Sequence, residues 1–142
     1  MNILECLHKC FKIATYKEAS SENEIVALEK YASILVPEEY KDIVRQKTEI
    51  EILVSNEKYI RIWGASGCIE MNGAYLIQKY IPFSLAIGDD EGGNAIIYAT
   101  GKSGFGLYLV AFNDLDVDEM IYISPTLRHF LTDGYGIESV LL

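Results

Sequence analysis

The middle of the chain alternates apolar and polar residues with the period of a β-strand. Over residues 48–54, isoleucines and a valine alternate with two glutamates, and the alternation resumes at Ile60 and Ile62 after a polar turn. This pattern predicts a β-hairpin. Further strands, which we expect to form a meander with it, are indicated by apolar runs at 83–87, 95–99, 107–112 and 121–123.

Two helices are predicted ahead of this hairpin. Ser21 and Glu24 have the spacing of a capping box, in which each side chain accepts a backbone amide of the helix start. Pro37 suits the first position of the second helix, because its missing N–H costs nothing there. The buried faces are expected to be Ile25, Leu28, Ala32 and Leu35 in the first helix and Tyr40, Ile43 and Val44 in the second. Lys41, Arg45 and Lys47 are expected to face water.

Weaker signals describe the rest of the chain up to the last strand. Residues 3–13 place apolar residues at helical spacing, with a short strand over 3–7 as the alternative. Residues 15–20 are predicted to be a polar connector. Residues 64–67 are predicted to be a loop, and a short helix should follow over 71–78.

A final helix is predicted near the C-terminus. Ser124 can cap it, Pro125 suits its first position and Gly134 can stop it. Its inner face is expected to contain Leu127, Phe130 and Leu131. The predicted fold is therefore α+β, a single domain over residues 1–142 in which helices pack against a mostly antiparallel sheet.

One loop between two predicted strands is unusual in composition. After Ile87 the chain reads Gly-Asp-Asp-Glu-Gly-Gly-Asn before the next strand begins at Ala95. Because Gly92 and Gly93 lack a Cβ, both are expected to reach positive φ and to permit a sharp reversal. We assign structural roles in this loop to Gly88, Gly92, Gly93 and Asn94.

The acids of this loop are harder to explain by folding. Asp89, Asp90 and Glu91 repel one another and are expected to add nothing to a core, so a turn alone does not require them. They fit either a solvated hairpin connection or a binding surface. A second acidic segment lies further along the chain. The candidate binding residues are Asp89, Asp90, Glu91, Asp114, Asp116 and Asp118.

Neither acidic segment has the spacing of a calcium-binding loop. Counted from Asp89, the fifth position is Gly93, which offers no side-chain ligand. Counted from Asp114, Glu119 replaces the required glycine and Pro125 replaces the closing glutamate. An EF-hand is therefore not expected.

Other cofactor motifs also fail on spacing. The Gly-Lys-Ser at 101–103 lacks both the upstream glycine and the following helix of a phosphate-binding loop, and the glycines around it miss the dinucleotide-binding order. Cys6, His8 and Cys10 lack a fourth zinc ligand. His129 is expected to be a surface or packed histidine rather than a base. Asp89 and Asp90 could form a general acid/base pair, but no nucleophile lies near them in the sequence. We therefore predict no cofactor, no metal and no catalytic residue.

Charge and cysteine content narrow the possible partners. The chain carries 21 acidic and 12 basic residues, for a formal net charge of −9. Such a surface repels phosphate backbones, which argues against a nucleic-acid partner. Three cysteines without paired spacing fit a reducing compartment. No leader or apolar segment of membrane-spanning length is visible, so we expect a cytoplasmic protein with no membrane partner.

Two motifs in a particular order resemble a known family. The Val-Pro-Glu-Glu-Tyr sequence at 36–40 matches a Leu-Pro-x-x-Tyr motif, and the acidic loop at 87–94 follows it between strands. Together with the Ser-x-x-Leu-x-x-Phe-Leu start of the last helix, this order resembles the SUKH superfamily over about residues 21–133. Residues 45–48 depart from the Asn-Gly-Gly turn that many members have after the second helix.

The resemblance implies a protein-binding scaffold that is not an enzyme. The SUKH superfamily comprises fungal cell-wall regulators of the Smi/Knr type and bacterial immunity proteins that neutralise toxins of neighbouring cells. We expect an immunity protein that binds a toxin domain, because regulators usually carry long disordered flanks that this sequence does not show. A regulatory adaptor is the main alternative, and a metal-dependent hydrolase that uses the acidic loop is the third. Candidate contact tyrosines are Tyr75, Tyr98, Tyr108 and Tyr122.

Overall fold

The computed structural model of the protein describes residues 2–142. Seven antiparallel strands form one sheet, in which they follow the order of the chain. The strands are β1 (Phe11–Lys17), β2 (Thr48–Val54), β3 (Lys58–Ile62), β4 (Leu85–Asp89), β5 (Asn94–Gly101), β6 (Gly104–Ala111) and β7 (Ile121–Ser124). Across the same residues the helices are α1 (Glu22–Tyr31), α2 (Glu38–Val44), α3 (Ala65–Ala74), α4 (Ile77–Tyr80), α5 (Leu127–Asp133) and α6 (Ile137–Val140). This architecture confirms the predicted α+β class.

The hairpin of β2 and β3 forms as its alternation predicts. Ile50, Ile52 and Val54 are buried, whereas Glu49 and Glu51 on the opposite face are partly exposed. Successive side chains of a strand point to opposite faces of the sheet, so a period-two pattern buries one face and leaves the other open.

The contact between β3 and β4 is short and requires a glycine. Only two residue pairs join these strands, Arg61 with Asp89 and Ile62 with Gly88. Between them the chain inserts α3 and α4, and α3 packs against both α1 and β4. A Cβ on Gly88 would lie 2.2 Å from the Arg61 carbonyl oxygen, so only glycine allows the two backbones to approach this closely.

The central strands β4, β5 and β6 are the most deeply buried part of the sheet. Tyr98 of β5 connects them to two helices, because its hydroxyl donates to Glu39 Oε2 at 2.9 Å and accepts the Leu127 amide at 3.2 Å. Burial raises the pKa of Tyr98 well above its ordinary value. The hydroxyl is therefore a protonated structural donor at neutral pH.

The N-terminal prediction is wrong. Residues 3–13 contain a 3₁₀ helix at Ile3–Glu5 followed by the start of β1, and β1 extends into the predicted connector at 15–20. Phe11 pairs with Val54 of β2 and packs against Phe130, with 5.1 Å between ring centroids. Strand pairing and core packing with distant residues thus override the helical spacing.

Two side chains near α2 also differ from prediction. Leu35 is 90% exposed rather than buried, because α1 ends at Tyr31 and its apolar face does not extend that far. Lys41 is buried rather than facing water, and its ammonium lies 3.0 Å from Glu29 and 2.7 Å from Glu38. A buried lysine needs carboxylate partners, and the packing of α1 beside α2 provides one of them.

The predicted loop at 64–67 is instead the first turn of α3. Gly64 is the N-cap, and its amide donates to Glu49 Oε2 at 2.8 Å. The Ala65 amide donates to Ser20 Oγ at 3.0 Å. Side chains from distant segments therefore accept the free amides at the start of this helix. For this reason the local sequence contains no capping residue that would predict the helix.

The last long helix is close to its prediction but has a different cap. Thr126 rather than Ser124 caps α5, and its Oγ1 accepts the His129 amide at 3.1 Å. Gly134 ends the helix in the left-handed conformation with a φ of 78°, as predicted. The shift of two residues arises because Ser124 still belongs to β7.

Candidate functional site

The two acidic segments of the sequence meet at one end of the central strands. The first is the turn between β4 and β5, and the second follows β6. The Phe112 amide donates to the Gly93 carbonyl oxygen at 3.0 Å, and Asn94 pairs with Ala111. The second segment therefore starts directly beside the first. We call the accessible acids of both segments the acidic surface, which consists of Asp89, Glu91, Asp114, Asp116 and Asp118.

Asp90 does not belong to this surface, because it is only 2% exposed. Its Oδ1 accepts the amides of Gly92 at 2.9 Å and Asn94 at 3.0 Å, and its Oδ2 accepts the Asn94 side-chain amide at 2.8 Å. The Lys58 ammonium lies 3.0 Å from Oδ2. The prediction that Asp90 adds nothing to the core and faces a partner is therefore wrong. This carboxylate holds the turn together from inside.

The charge of Asp90 is maintained by its neighbours. Burial alone raises the pKa of this carboxyl group, but hydrogen bonds from Asn94, together with those from Lys58 and Gly92, outweigh burial and hold the pKa below its ordinary value. Lys58 also donates to the Val140 carbonyl oxygen at 2.9 Å. One lysine thus connects the acidic turn to α6.

Asp89 and Glu91 point away from the buried Asp90, towards Trp63 and Arg61 respectively. Asp89 Oδ2 accepts the Trp63 indole N–H at 2.8 Å, and its Oδ1 accepts the Glu91 amide at 2.8 Å. The Arg61 guanidinium lies 3.2 Å from Glu51 and 4.0 Å from Glu91. Burial, followed by interaction with Glu51, raises the pKa of Glu91. Both acids are therefore partly engaged but remain accessible.

The glycine pair of the turn does not behave uniformly. Gly93 has a φ of 97°, as predicted, but Gly92 lies outside the left-handed region, and Glu91 has a φ of 53° instead. A Cβ on Gly92 would make ordinary contact, at 3.5 Å, with Asp90 Oδ1. The prediction of positive φ is therefore wrong for Gly92, because the carboxylate inside the turn bends the chain one residue earlier.

The second acidic segment is open to solvent. Asp114, Asp116 and Asp118 are all exposed. Asp116 caps the 3₁₀ helix at Val117–Glu119 by accepting the Asp118 amide at 2.9 Å. This local bond leaves the carboxylates accessible, so these acids can meet a partner without any rearrangement of the fold.

An acidic groove lies on the open face of the sheet, next to the first segment. Its volume is about 420 Å³. It lies between α3 and the face of the sheet on which strand alternation leaves polar side chains exposed. The groove is lined by Lys17, Glu49, Arg61, Trp63, Gly67, Glu70, Met71 and Asp89.

An aromatic pocket lies beside the acidic surface. Phe112 stacks on Tyr75 with 4.3 Å between ring centroids and on Trp63 with 6.4 Å. The pocket has a volume of about 380 Å³ and is lined by Tyr75, Tyr80, Phe112, Asn113, Asp114 and Leu115. Sequence reasoning missed Trp63, Tyr80 and Phe112. Trp63 lies two residues after Arg61, so strand alternation places both on the same face of the sheet. No local sequence pattern brings Tyr80 and Phe112 together.

The predicted contact tyrosines divide into accessible and buried residues. Tyr75 is 42% exposed and lines the aromatic pocket. Tyr98 and Tyr108 are buried and belong to the core, so they are not available for contact with a partner. Tyr122 is partly buried, with its ring centroid 5.4 Å from that of Tyr108. Both buried tyrosines sit on central strands whose two faces are covered.

Potential catalytic side chains have structural partners instead. Burial raises the pKa of the Cys68 thiol to about 12, so this thiol is protonated and is not a nucleophile at neutral pH. His129 Nδ1 lies 2.6 Å from Thr126 Oγ1, the hydroxyl that caps α5.

Within residues 2–142, no group of three or more histidine, cysteine or acidic side chains is arranged to hold a metal ion. In that same range, none of the helices is long and apolar enough to cross a membrane.

Comparison with protein families gives a match that contains these elements. The model of the SMI1 / KNR4 family (SUKH-1) matches residues 19–133, well over half of the chain. The chain belongs to this family. The match confirms the SUKH resemblance and includes α1 to α5, both acidic segments and the aromatic pocket, whereas β1 lies before it. A comparison with curated proteins gave no match.

Membership of the SMI1 / KNR4 family does not identify a partner, because a shared scaffold does not by itself specify what it binds. The acidic surface and the aromatic pocket are the features of this chain that a partner could contact. Any statement about the partner must therefore be argued from these surface residues.

Proposed function

We propose that this protein is a non-enzymatic immunity protein of the SMI1 / KNR4 family that binds a toxin domain and blocks it. The observation that supports the proposal most directly is the junction of the two acidic segments, where the Phe112 amide meets the Gly93 carbonyl oxygen at 3.0 Å. This junction concentrates accessible carboxylates on one side of a chain whose net charge is −9. A toxin domain with a basic substrate groove is the complementary surface.

The chemistry of the site favours blocking over catalysis. The thiol and the imidazole described above are engaged in the fold, whereas the acids of the surface are accessible to a cationic partner. A basic groove that holds phosphates is occupied effectively by carboxylates presented on a rigid turn. The buried Asp90 keeps that turn rigid, so little ordering is required when a partner binds.

A toxin challenge separates this proposal from its main alternative. The reading frames beside the gene for this protein are first searched for a toxin domain, and cells that express a toxin domain found there should survive only when this protein is co-expressed. A regulatory adaptor would give no protection, so death of the co-expressing cells would contradict the proposal. The catalytically inactive form of the same toxin domain provides the expression control.

Surface plasmon resonance tests the electrostatic mechanism. The association rate with that toxin domain should fall as salt rises, and Asp116→Asn combined with Asp118→Asn should reduce it severalfold at low salt, because exposed charges act mainly on association. The charge-matched control is Glu5→Gln combined with Asp133→Asn, which changes two exposed acids outside the acidic surface. If both double variants associate equally fast, the acidic surface is not the binding side.

A further inference from the structure

We infer that the aromatic pocket receives an arginine side chain of the protein partner. This inference rests on the proposed function, because it names the side chain of a basic toxin domain that would bind beside the acidic surface. Three rings form the walls of the pocket, and one carboxylate, that of Asp114, lies at its rim. Aromatic walls with an adjacent acid are the combination that attracts a cation with a flat, weakly hydrated head.

The rings are accessible rather than part of the core. Tyr75 is 42% exposed and Tyr80 is 51% exposed, whereas Ile77 and Ile81 of the same stretch are buried. Phe112 supports Tyr75 by stacking at 4.3 Å, so this wall is formed before any partner arrives. Exposed, preorganised tyrosines beside one another are typical of interface anchor points.

The backbone around the pocket holds large apolar residues in unusual conformations. Leu76 and Phe83 have φ values of 53° and 54°, a region that bulky residues rarely adopt, and they are 52% and 71% exposed. Backbone strain of this kind is concentrated at functional surfaces. Both residues flank α4, the helix that carries Tyr80.

Charge selects a cationic occupant over an apolar one. Asp114 lines the pocket, and Asp89 bonds to Trp63, whose ring stacks on Phe112. The Lys79 ammonium lies 5.5 Å from the centroid of the Tyr80 ring, so this side chain must swing aside when an arginine stacks there. An arginine fits better than a lysine, because its planar guanidinium can stack on a ring and bond to a carboxylate at the same time.

The probe for this inference is N-acetyl-arginine amide, with N-acetyl-citrulline amide as the neutral control of the same shape. Titration followed by NMR should give saturable shifts at Tyr75, Tyr80 and Asp114. The citrulline amide should bind at least about fivefold more weakly, because it lacks the charge that the rings and the carboxylate attract. Equal shifts with both amides would overturn the inference.

Matched variants locate the binding to the pocket. Tyr80→Ala and Asp114→Asn should each remove the saturable shift, whereas Tyr16→Ala should retain it. Tyr16 is 55% exposed and is also contacted by a lysine, with the Lys47 ammonium 4.4 Å from its ring centroid. Shifts that survive Tyr80→Ala would show general attraction to acids and would contradict the inference. A thermal scan of each variant confirms that the fold is intact.

The toxin domain gives a second readout that separates this inference from the proposed function. Tyr80→Ala should increase the dissociation rate about tenfold or more, because loss of a buried anchor acts on dissociation. If the toxin domain binds and Tyr80→Ala changes nothing, the pocket inference fails and the proposed function stands. If the arginine amide binds the pocket and no toxin is neutralised, the proposed function fails and the pocket inference stands.

Discussion

The two acidic segments lie side by side but use their carboxylates in opposite ways. In the β4–β5 turn, Asp90 points inward, bonds to Gly92 and Asn94 and pairs with Lys58. In the segment after β6, Asp114 and Asp118 face solvent. The difference teaches that acidic residues that are close in a sequence can have different roles, some in the fold and some on the accessible surface. The partners that the fold brings to each carboxylate decide its role, since Asp90 meets Lys58 inside the turn whereas Asp114 and Asp118 remain exposed.

The strongest test of this comparison removes the inward acid. Asp90→Ala should lower the free energy of unfolding by about 3 kcal/mol, because two backbone amides, the Asn94 side-chain amide and the Lys58 ammonium all lose this acceptor. Chemical denaturation measures the change. The matched variant Asp114→Ala should alter it by less than about 0.5 kcal/mol. Equal losses in the two variants would remove the distinction between the segments.

The glycines of the turn sharpen the comparison further. Gly88→Ala should reduce the free energy of unfolding by about 2 kcal/mol, because its Cβ would meet the Arg61 carbonyl oxygen and force the backbones apart. Gly92→Ala is the control, since a Cβ there makes only ordinary contact. Thermal unfolding of both variants measures the difference. A larger loss for Gly92→Ala than for Gly88→Ala would contradict this description of the turn.

Acid should weaken the inward segment in particular. The folded-state pKa of Asp90 lies below its ordinary value, so its charge stabilises the fold above the unfolded pKa, and this contribution is lost as pH falls through the folded pKa. The stability difference between the wild type and Asp90→Asn should therefore be largest near pH 7 and shrink below about pH 4. Denaturation curves across this range measure it, and a difference that grows with acid would refute the assignment.

The smallest effect on stability is expected at the outward segment. Asp116→Asn combined with Asp118→Asn should leave the free energy of unfolding within about 0.5 kcal/mol, since asparagine at position 116 can still accept the capping amide. The same double variant slows association in the binding experiment. Calorimetry of the isolated variant provides the check. A clear loss of stability would mean that these acids also build the fold.

The prediction of elements succeeded for several strong local signals. The alternation around Ile50 and Ile52 identified the β2–β3 hairpin, and the Ser21 to Glu24 capping box forms at the start of α1, with bonds of 3.1 Å and 2.7 Å. Gly134 ends α5 as expected. In each case the residues that determine the structure are neighbours along the chain, so a short window contains the whole cause.

The prediction failed where distant residues decide. Phe11 enters a strand because Val54 and Phe130 are there to pair and pack with it. Lys41 is buried because Glu29 arrives from another helix. Asp90 lies inside because Lys58 meets it there. None of these partners is visible in a local window, and each one outweighs the local preference.

The sequence by itself determined the α+β class, the family, most of the strands and the two acidic segments, because periodicity, capping and motif order are written in neighbouring residues. Only the tertiary structure decided which acids are accessible, which tyrosines are buried and that Tyr75, Tyr80 and Phe112 share a pocket with Asp114. The physical reason is that accessibility and convergence depend on the packing of segments far apart in the chain, and long-range packing leaves no periodic signal.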